Sequence, residues 1–341
     1  MTLDHAVALS LIDDLPRVGL TERLLSHDPE LLEIATNNVP KARDVRLQAA
    51  ERGIHVLAWN DQRFPAGLLA TTDCPPVLWF RGDPTVFDAT AVAVVGSRSA
   101  SAVSLEAAAR IGEGLAAYGV AVVSGLARGV DSAAHRGALR QGKTIAVLGS
   151  GVDRIYPAEH TGLAADIADH GIVVSEFPPG TPPLPYRFPL RNRIISGLSR
   201  AVVVIEASEK SGSLITASCA LEQGRDVMAV PGNVLSGRNR GGHALLRDGA
   251  RIVETADDVL VELGLQSRAA WETTETSVAS TTCDEPVLRA MHMNQPYDLD
   301  ALANRCGLPV ARLLPRLTDL ELRGLVTRLE GGRFMRSART C

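Results

Sequence analysis

The sequence is poor in lysine, in aromatic residues and in paired cysteines. Only 3 of its 35 basic residues are lysines, and the other 32 are arginines. Because arginine is so abundant, a single arginine is weak support for an anion site, and only arginines in structured loops carry weight. The five cysteines form no Cys-x-x-Cys pair and have no histidine at ligand spacing. They predict free thiols and exclude a disulfide framework or a zinc site.

Long apolar runs and a strong net charge are also missing. No uncharged run reaches the roughly 18 residues that a bilayer span needs, and the first residues lack the basic region of a signal peptide. The formal net charge is -4, and 45% of the residues are hydrophobic, which is ordinary for globular proteins. We therefore expect a cytoplasmic protein with no membrane partner and two or three domains.

Changes of pattern divide the chain into four parts. Residues 1–66 carry apolar residues at helical spacing and predict a small helical module of the SAM-like or helix-hairpin-helix kind. Residues 67–264 alternate short β-branched runs with amphipathic segments, which is typical of buried parallel strands and crossover helices. Residues 265–284 predict a flexible linker, and residues 285–341 predict a winged helix. The predicted fold class is α/β: a Rossmann-like, doubly wound, mostly parallel sheet, flanked by the helical module and the winged helix.

One nucleotide-binding motif occurs in the wrong context. Residues 137–144 match G-x-x-x-x-G-K-T, but a P-loop needs a strand before the loop and a helix after it, so that backbone amides face the phosphates. Here a predicted helix precedes the motif and a predicted strand follows it. We expect no ATP site there, and we expect Gly142 to be a helix C-cap.

Three loops at predicted strand ends carry small polar residues. In loop 96–101, serine hydroxyls and an arginine precede a helix whose amides and dipole should bind an anion, although the later glycines of a dinucleotide fingerprint are absent. Loop 124–131 and loop 209–216 have similar compositions. Because the carboxyl ends of parallel strands lie at one edge of a sheet, the loops should converge on one crevice. The predicted phosphate-binding residues are Gly96, Ser97, Arg98, Ser99, Gly125, Arg128, Ser211, Gly212, Ser213 and Thr216.

A basic segment at 181–200 contains four arginines and no acid. Its prolines predict a loop rather than a regular helix at the start. Arginines interleaved with aromatic residues suit a strand of nucleic acid, because guanidinium groups bind phosphates and aromatic faces stack on bases. The predicted contacts in this segment are Arg187, Phe188, Arg191, Asn192 and Arg193.

Five sequence blocks, in this order, resemble the DprA (Smf) family of bacterial DNA-processing proteins. The blocks are residues 95–98, 124–131, 188–196, 211–217 and 230–232, and the resemblance is dense over about 60–255. It implies a protein that binds single-stranded DNA, protects incoming DNA, forms homodimers and loads the recombinase RecA in natural transformation and recombination.

The resemblance also assigns roles to particular residues. It implies that Arg98 is the DNA-pocket arginine, that Arg191 and Arg193 belong to a basic loop, and that residues 241–253 form the dimer contact. The chain departs from the family after Tyr156-Pro157, where many relatives carry a basic residue and this chain has Ala158-Glu159. The path of the DNA near that strand end is therefore left open.

Two other classes of function remain open. A Rossmann-type nucleotide phosphoribohydrolase-like enzyme would carry a Pro-Gly-Gly-x-Gly-Thr loop followed by an acid, whereas loop 211–216 is followed by Ala217. A regulator that binds through its winged helix would prefer palindromic duplex DNA. The sequence shows no paired carboxylates, no Ser/His/Asp set and no metal cluster. We therefore predict a binding protein that is not an enzyme, with no catalytic residue, no metal and no cofactor.

Overall fold

A computed structural model describes residues 1–12, 15, 17, 19–265, 286–291, 296–322, 325–329 and 333–336. The chain forms two compact units, Met1–Trp271 and Glu272–Cys341, and each is considered by itself. The predicted linker lies outside the described residues except for its first residue, and so does the turn predicted at 330–332. Within the described ranges, no helix is long and apolar enough to cross a membrane.

Three helices begin the first unit: α1 (Leu3–Ser10), α2 (Leu20–Leu25) and α3 (Pro29–Glu51). The carboxylate of Asp28 accepts the amides of Glu30 and Leu31 and so caps α3. Proline at the first position of that helix costs nothing, because an amide there would have no helical partner.

The prediction of a helical module over residues 1–66 is wrong for the last part of that range. Residues His55–Ala58 form strand β1, which joins the main sheet, and only the short helix α4 (Ala66–Leu69) follows. The four residues of β1 are too few for strand periodicity to be recognised in the sequence. They pair with β2 (Val77–Gly82) in antiparallel register.

The main sheet contains nine strands within the described residues, in the order β1-β2-β6-β5-β4-β3-β7-β8-β9. Strands β3 to β9 are parallel to one another, whereas β2 is antiparallel both to β6 and to the edge strand β1. The β-branched runs predict six strands, and the structure confirms all six to within one residue at each end. The predicted runs are 91–95, 120–123, 144–148, 172–175, 201–205 and 226–230. The strands not yet bounded are β3 (Ala91–Val95), β4 (Ala121–Ser124), β5 (Thr144–Val147), β6 (Ile172–Ser175), β7 (Ala201–Val204), β8 (Asp226–Ala229) and β9 (Arg251–Ile252).

Helices cover both faces of this sheet. Strand β3 illustrates this. Val92 and Val94 pack into one apolar cluster with the helices on one face, while Ala93 and Val95 pack into another with the helices on the opposite face. Alternating side chains are therefore buried on both faces, as in a doubly wound sheet. The helices are α5 (Ala102–Ala117), α6 (Val130–Ala138), α7 (Thr161–His170), α8 (Arg187–Gly197), α9 (Gly212–Glu222), α10 (Arg240–Arg247) and α11 (Ala256–Glu262).

Two local predictions are wrong. The resemblance implied a basic loop that contains Arg191 and Arg193, but both residues lie in helix α8, which tolerates Pro189 because the first turn of a helix has no amide partners to lose. The start of the basic segment, residues 181–186, is not helical, as its prolines predicted. Gly142 is not a C-cap, since α6 ends at Ala138 and is capped by Leu139. The predicted order, with a helix before the P-loop-like motif and a strand after it, is confirmed.

Within its described residues, the second unit contains three helices and a small antiparallel sheet. Strand order is β10-β12-β11, and a core that includes Leu302, Leu313, Leu317 and Phe334 lies between the helices and the sheet. This arrangement is the predicted winged helix. Its elements are α12 (Pro286–Ala290), β10 (Pro296–Tyr297), α13 (Leu299–Cys306), α14 (Val310–Leu322), β11 (Val326–Leu329) and β12 (Arg333–Arg336).

Candidate nucleic-acid interface

A crevice of about 560 Å³ opens at the carboxyl ends of β3 and β7. The strand order reverses between these two strands, and ligands of doubly wound proteins bind at such switch points. The predicted convergence is therefore present. The first and third loops and α8 line the crevice, and the second loop lines it with Ala127 and Asp131, although not with the predicted Gly125 and Arg128. The predicted residues that line the crevice are Gly96, Ser97, Arg98, Ser99, Phe188, Arg191, Asn192, Ser211, Gly212, Ser213 and Thr216.

Arg98 is the exposed cation of this crevice. Its Cζ lies 5.5 Å from the centre of the Phe188 ring, a distance at which the ring face attracts a guanidinium group. No carboxylate of the described residues forms an ion pair with Arg98. Its charge is therefore held in place by an aromatic ring and remains available to an anion.

Gly96 serves packing more than ligand approach. A Cβ at Gly96 would come within 2.7 Å of the Val130 side chain. The neighbouring Gly129 has φ of +78°, and a Cβ there would lie 2.2 Å from the carbonyl oxygen of Ser97. These glycines let the first and second loops pack against each other, which fixes the backbone that carries Arg98.

An internal carboxylate occupies the N-terminus of α5, where the sequence predicted a bound anion. Glu206, at 4% exposure, accepts the Ser101 amide and the hydroxyls of Ser101 and Ser104 at 2.8 to 3.2 Å. The positive end of the helix dipole stabilises this carboxylate. The predicted anion site at this helix is thus already filled. Sequence reasoning missed Glu206, although an acid directly after a buried strand was a visible signal.

The third loop presents a helix N-terminus that holds no carboxylate among the described side chains. Ser211 caps α9, and its Oγ lies 2.7 Å from the Oγ of Ser213. The side-chain amide of Asn192 donates to the carbonyl oxygen of Gly212 at 3.2 Å, which ties α8 to this loop. Hydroxyl groups at a helix N-terminus are suited to a phosphate, because the positive end of the helix dipole favours an anion there.

Arg191 forms the buried floor of the crevice. Its Nη1 donates to the carbonyl oxygens of Gly125, at 2.8 Å, and Val147. Burial lowers the pKa of this guanidinium to about 10, so it stays charged at neutral pH. Gly125 is explained by the same contact, because a Cβ there would lie 2.4 Å from the Arg191 guanidinium.

Asp131 is a second acid in the crevice. It lies in the first turn of α6, whose N-cap is Gly129, and its carboxylate accepts the amides of Gly125 and Ala127 at 3.1 and 3.4 Å. Burial raises the pKa of this carboxyl group. Asp131 therefore fixes the second loop, and that loop in turn holds Arg191.

Two predicted arginines lie away from the crevice, beside a small cavity that the N-terminal helices also line. Arg193 donates to Glu176 at 2.6 Å and lies 3.3 Å from Asp73. Arg187 donates to the carbonyl oxygen of Pro182 at 2.9 Å. Sequence reasoning grouped these arginines with Arg191 because they share one segment. Arg193 is two positions from Arg191 and so lies on a different side of α8, whereas Arg187 is the first residue of the helix and its guanidinium is bound by the preceding loop.

Arg128 also lies outside the crevice, at a separate cavity of about 40 Å³. Its guanidinium makes two hydrogen bonds to the Glu159 carboxylate, at 2.7 and 2.8 Å. These bonds hold the pKa of Glu159 below its usual value. Glu159, which stands where the chain departs from the family pattern, thus neutralises Arg128, an arginine that the sequence predicted to bind phosphate.

Fold and crevice together define a Rossmann-like protein with a switch-point anion crevice and an additional winged-helix unit. The family model described as DNA recombination-mediator protein A matches residues 55–264, and the DprA winged helix domain model matches residues 272–332. The chain belongs to the DprA (Smf) family.

Characterised relatives agree with this assignment. The chain is 40% identical over 294 residues to Protein Smf of Escherichia coli, covering 84% of this chain and 78% of that one. It is 44% identical over 203 residues to DNA processing protein DprA of Streptococcus pneumoniae, covering 59% and 72%.

Two solved structures share the fold. The X-ray structure of DprA from Streptococcus pneumoniae has a TM-score of 0.69 at 34% identity and covers 76% of this chain and 98% of that one. A DprA structure from Helicobacter pylori, described as revealing a single-stranded DNA binding mode, has a TM-score of 0.56 at 28% identity, with coverage of 62% and 95%.

Proposed function

We propose that this chain binds single-stranded DNA in the crevice, protects incoming DNA and loads RecA during natural transformation and recombination. The observation that carries the proposal is Arg98, an exposed cation without a carboxylate partner in the described structure, which contacts the Phe188 ring and lines the same crevice as the start of α9. The Helicobacter pylori relative, described as binding single-stranded DNA, supports the choice of ligand.

The crevice has the parts that a single strand requires. Arg98 and the Ser211–Ser213 helix terminus are suited to phosphates, and Phe188 is suited to an unpaired base. A base in a duplex is stacked on both sides, so its face cannot reach this ring. The combination of cation, helix terminus and aromatic ring therefore favours single-stranded over double-stranded DNA.

Binding rather than hydrolysis is supported by the state of the acids at the crevice. Glu206 is held by two serines, and Asp131 by two backbone amides. His135 is buried, with Nδ1 2.7 Å from the Thr144 hydroxyl, and burial lowers its pKa to about 3. These groups are engaged within the protein, and hydrolysis needs a group free to activate water.

We further infer a homodimer formed through residues 241–253. Strand β9 is the edge of the main sheet, and its residue Ile252 is 60% exposed. An exposed apolar edge strand beside α10 is suited to pairing with a second copy. Two crevices in one dimer would bind one strand more tightly through effective concentration. Sedimentation at micromolar concentration tests this inference, and a monomer would contradict it.

Oligonucleotide titration at two salt concentrations tests the ligand. We expect labelled single-stranded DNA to bind more tightly than a duplex of the same length, with an affinity that falls as salt rises because phosphate contacts release counterions. Equal binding of both forms, or a preference for a palindromic duplex, would favour the winged-helix regulator instead. RecA loading rests on family membership and is tested by RecA filament assembly on a strand already coated with single-strand-binding protein.

A further inference from the structure

We propose that Glu206 is a specificity-determining residue of the crevice, whose carboxylate excludes nucleoside diphosphates and triphosphates and so leaves the crevice to a DNA strand. This inference rests on the proposed function. Free nucleotides carry the same kinds of phosphate and base as DNA, so a crevice that binds a strand must distinguish the two by a difference in affinity. The helix terminus that Glu206 occupies provides that difference.

Glu206 lies where dinucleotide-binding proteins of this architecture bind a pyrophosphate. In those proteins the pyrophosphate lies at the N-terminus of the helix that follows the first strand of the binding unit. Here the strand is β3 and the helix is α5. Oε2 of Glu206 accepts the backbone amide of Ser101 at 3.2 Å and the hydroxyls of Ser101 and Ser104 at 2.8 Å each. Three donors that could bind a phosphate there are therefore engaged by the protein itself.

The charge of this carboxylate is not cancelled by a cation. Glu206 is buried, and no basic side chain of the described residues forms an ion pair with it. By contrast, the buried carboxylate of Glu176 is paired with Arg193 at 2.6 Å. The amide, the two hydroxyls and the dipole of α5 stabilise the charge of Glu206 without neutralising it. A second anion near this helix terminus is therefore repelled.

The position of Glu206 brings this repulsion to the crevice. Its backbone carbonyl oxygen accepts the amide of Ser97 at 2.7 Å. Ser97 lines the crevice, and so does Ser208, two residues after Glu206 in the chain. A diphosphate or triphosphate concentrates several negative charges in one group, whereas each phosphodiester of a strand carries one. Repulsion by one fixed carboxylate therefore weakens the binding of a nucleotide more than that of a strand.

The N-terminus of α9 lacks such a carboxylate. Ser211 and Ser213 line the crevice there, and the hydroxyl of each contacts the other rather than a carboxylate of the described residues. One helix terminus is thus open to a phosphate, while Glu206 closes the terminus of α5. This arrangement suits a single phosphodiester and offers no second helix terminus for the adjoining phosphate of a nucleotide.

Two substitutions in the full-length chain test the role of this carboxylate. Glu206→Gln removes the charge and keeps the shape of the side chain, whereas Glu206→Ser also vacates the space at the helix terminus. Calorimetry measures the binding of ADP and of pyrophosphate, and titration measures the binding of a single-stranded oligonucleotide without terminal phosphates. In either variant we expect the affinities for ADP and pyrophosphate to rise about 10-fold, while the affinity for the strand rises less than about 3-fold.

Glu106→Gln is the matched control, because it makes the same change of charge on the same helix. Glu106 is exposed, pairs with Arg110 at 2.7 Å and does not line the crevice. We expect this variant to bind ADP, pyrophosphate and the strand within about 2-fold of wild type, since exposed charges are screened by salt. Thermal unfolding verifies that each variant is folded.

The outcomes separate this inference from the proposed function. If wild type does not bind the strand, the proposed function fails. If wild type binds the strand and the folded Glu206 variants bind ADP no more tightly than wild type, the specificity role is wrong while the function stands. A rise in strand affinity as large as the rise in ADP affinity would also overturn the inference, because Glu206 would then repel both ligands alike. Loss of folding in both Glu206 variants would make Glu206 a residue that stabilises the fold and would overturn it as well.

Discussion

An arginine lies on each of two sides of α8, and the two arginines differ in burial and in partners. On the crevice side, Phe188 holds an exposed guanidinium, that of Arg98, which no carboxylate in the described structure neutralises. On the opposite side, Arg193 is buried and paired with Glu176 and Asp73. Burial and carboxylate partners, rather than arginine content, therefore decide which cations can bind a phosphate. The same difference also separates residues that stabilise the fold from those that bind the ligand.

The largest expected effect is on the buried side. Glu176→Ala removes the principal partner of Arg193 and leaves a cation with 7% side-chain exposure poorly compensated. We expect the free energy of unfolding to fall by about 3 kcal/mol, because an unpaired buried charge is costly. Urea denaturation measures it.

An exposed pair supplies the control for this loss. Glu106→Ala breaks the pair with Arg110 on the surface of α5 and should cost less than about 0.5 kcal/mol. Equal losses in the two variants would show that the buried pair has no special role and would remove the distinction between the two sides of α8.

Arg98→Ala tests the crevice side. We expect single-stranded DNA affinity to fall by about 1 to 3 kcal/mol and the slope of affinity against salt to decrease by about 1, because one phosphate contact is lost. Stability should change little, since the side chain is exposed. Titration at several salt concentrations measures both quantities. Arg200→Ala is the matched control, because Arg200 is an exposed arginine at the end of the basic segment 181–200 and does not line the crevice. Wild-type affinity in folded Arg98→Ala would refute the assignment.

Glu159→Gln tests whether freeing a paired arginine, Arg128, adds a cation that binds the strand. The substitution removes the negative charge that pairs with Arg128 at the cavity next to the crevice. We expect single-stranded DNA affinity to rise about 2- to 5-fold at low salt, corresponding to less than about 1 kcal/mol, with a steeper salt dependence.

A similar pair away from the crevice gives the comparison for this gain. Glu113→Gln frees Arg140, which is bound to Glu113 at 2.9 Å on the surface, and should leave affinity nearly unchanged. If both variants gain equally, the effect reflects net charge alone and Arg128 has no place near the bound strand.

Much of the fold was predictable because its signals are local. Continuous runs such as Ala91–Val95 identify buried parallel strands, and the loops that follow strands share one sheet edge by topology. The partners within the site were not predictable. Glu206 and Ser101 are 105 positions apart in sequence, and only the three-dimensional arrangement of β7 and α5 brings them together. The same holds for Glu176 and Arg193, whose pairing removes a predicted DNA contact.

The smallest expected effect concerns the winged helix. Residues 309–341 hold seven arginines against three acids, so this unit could add phosphate contacts at low salt. Against this, the crevice residues lie entirely before residue 217, and they are positioned by strand ends and helix termini. A chain ending after Leu265, which packs against the core of the first unit, should therefore bind single-stranded DNA almost as tightly as the full chain at physiological salt. The truncated chain would first be shown to be folded and to have the oligomeric state of the full chain. A loss of about 100-fold, or about 2.7 kcal/mol, would make the winged helix a principal DNA-binding element and the crevice only a part of the interface.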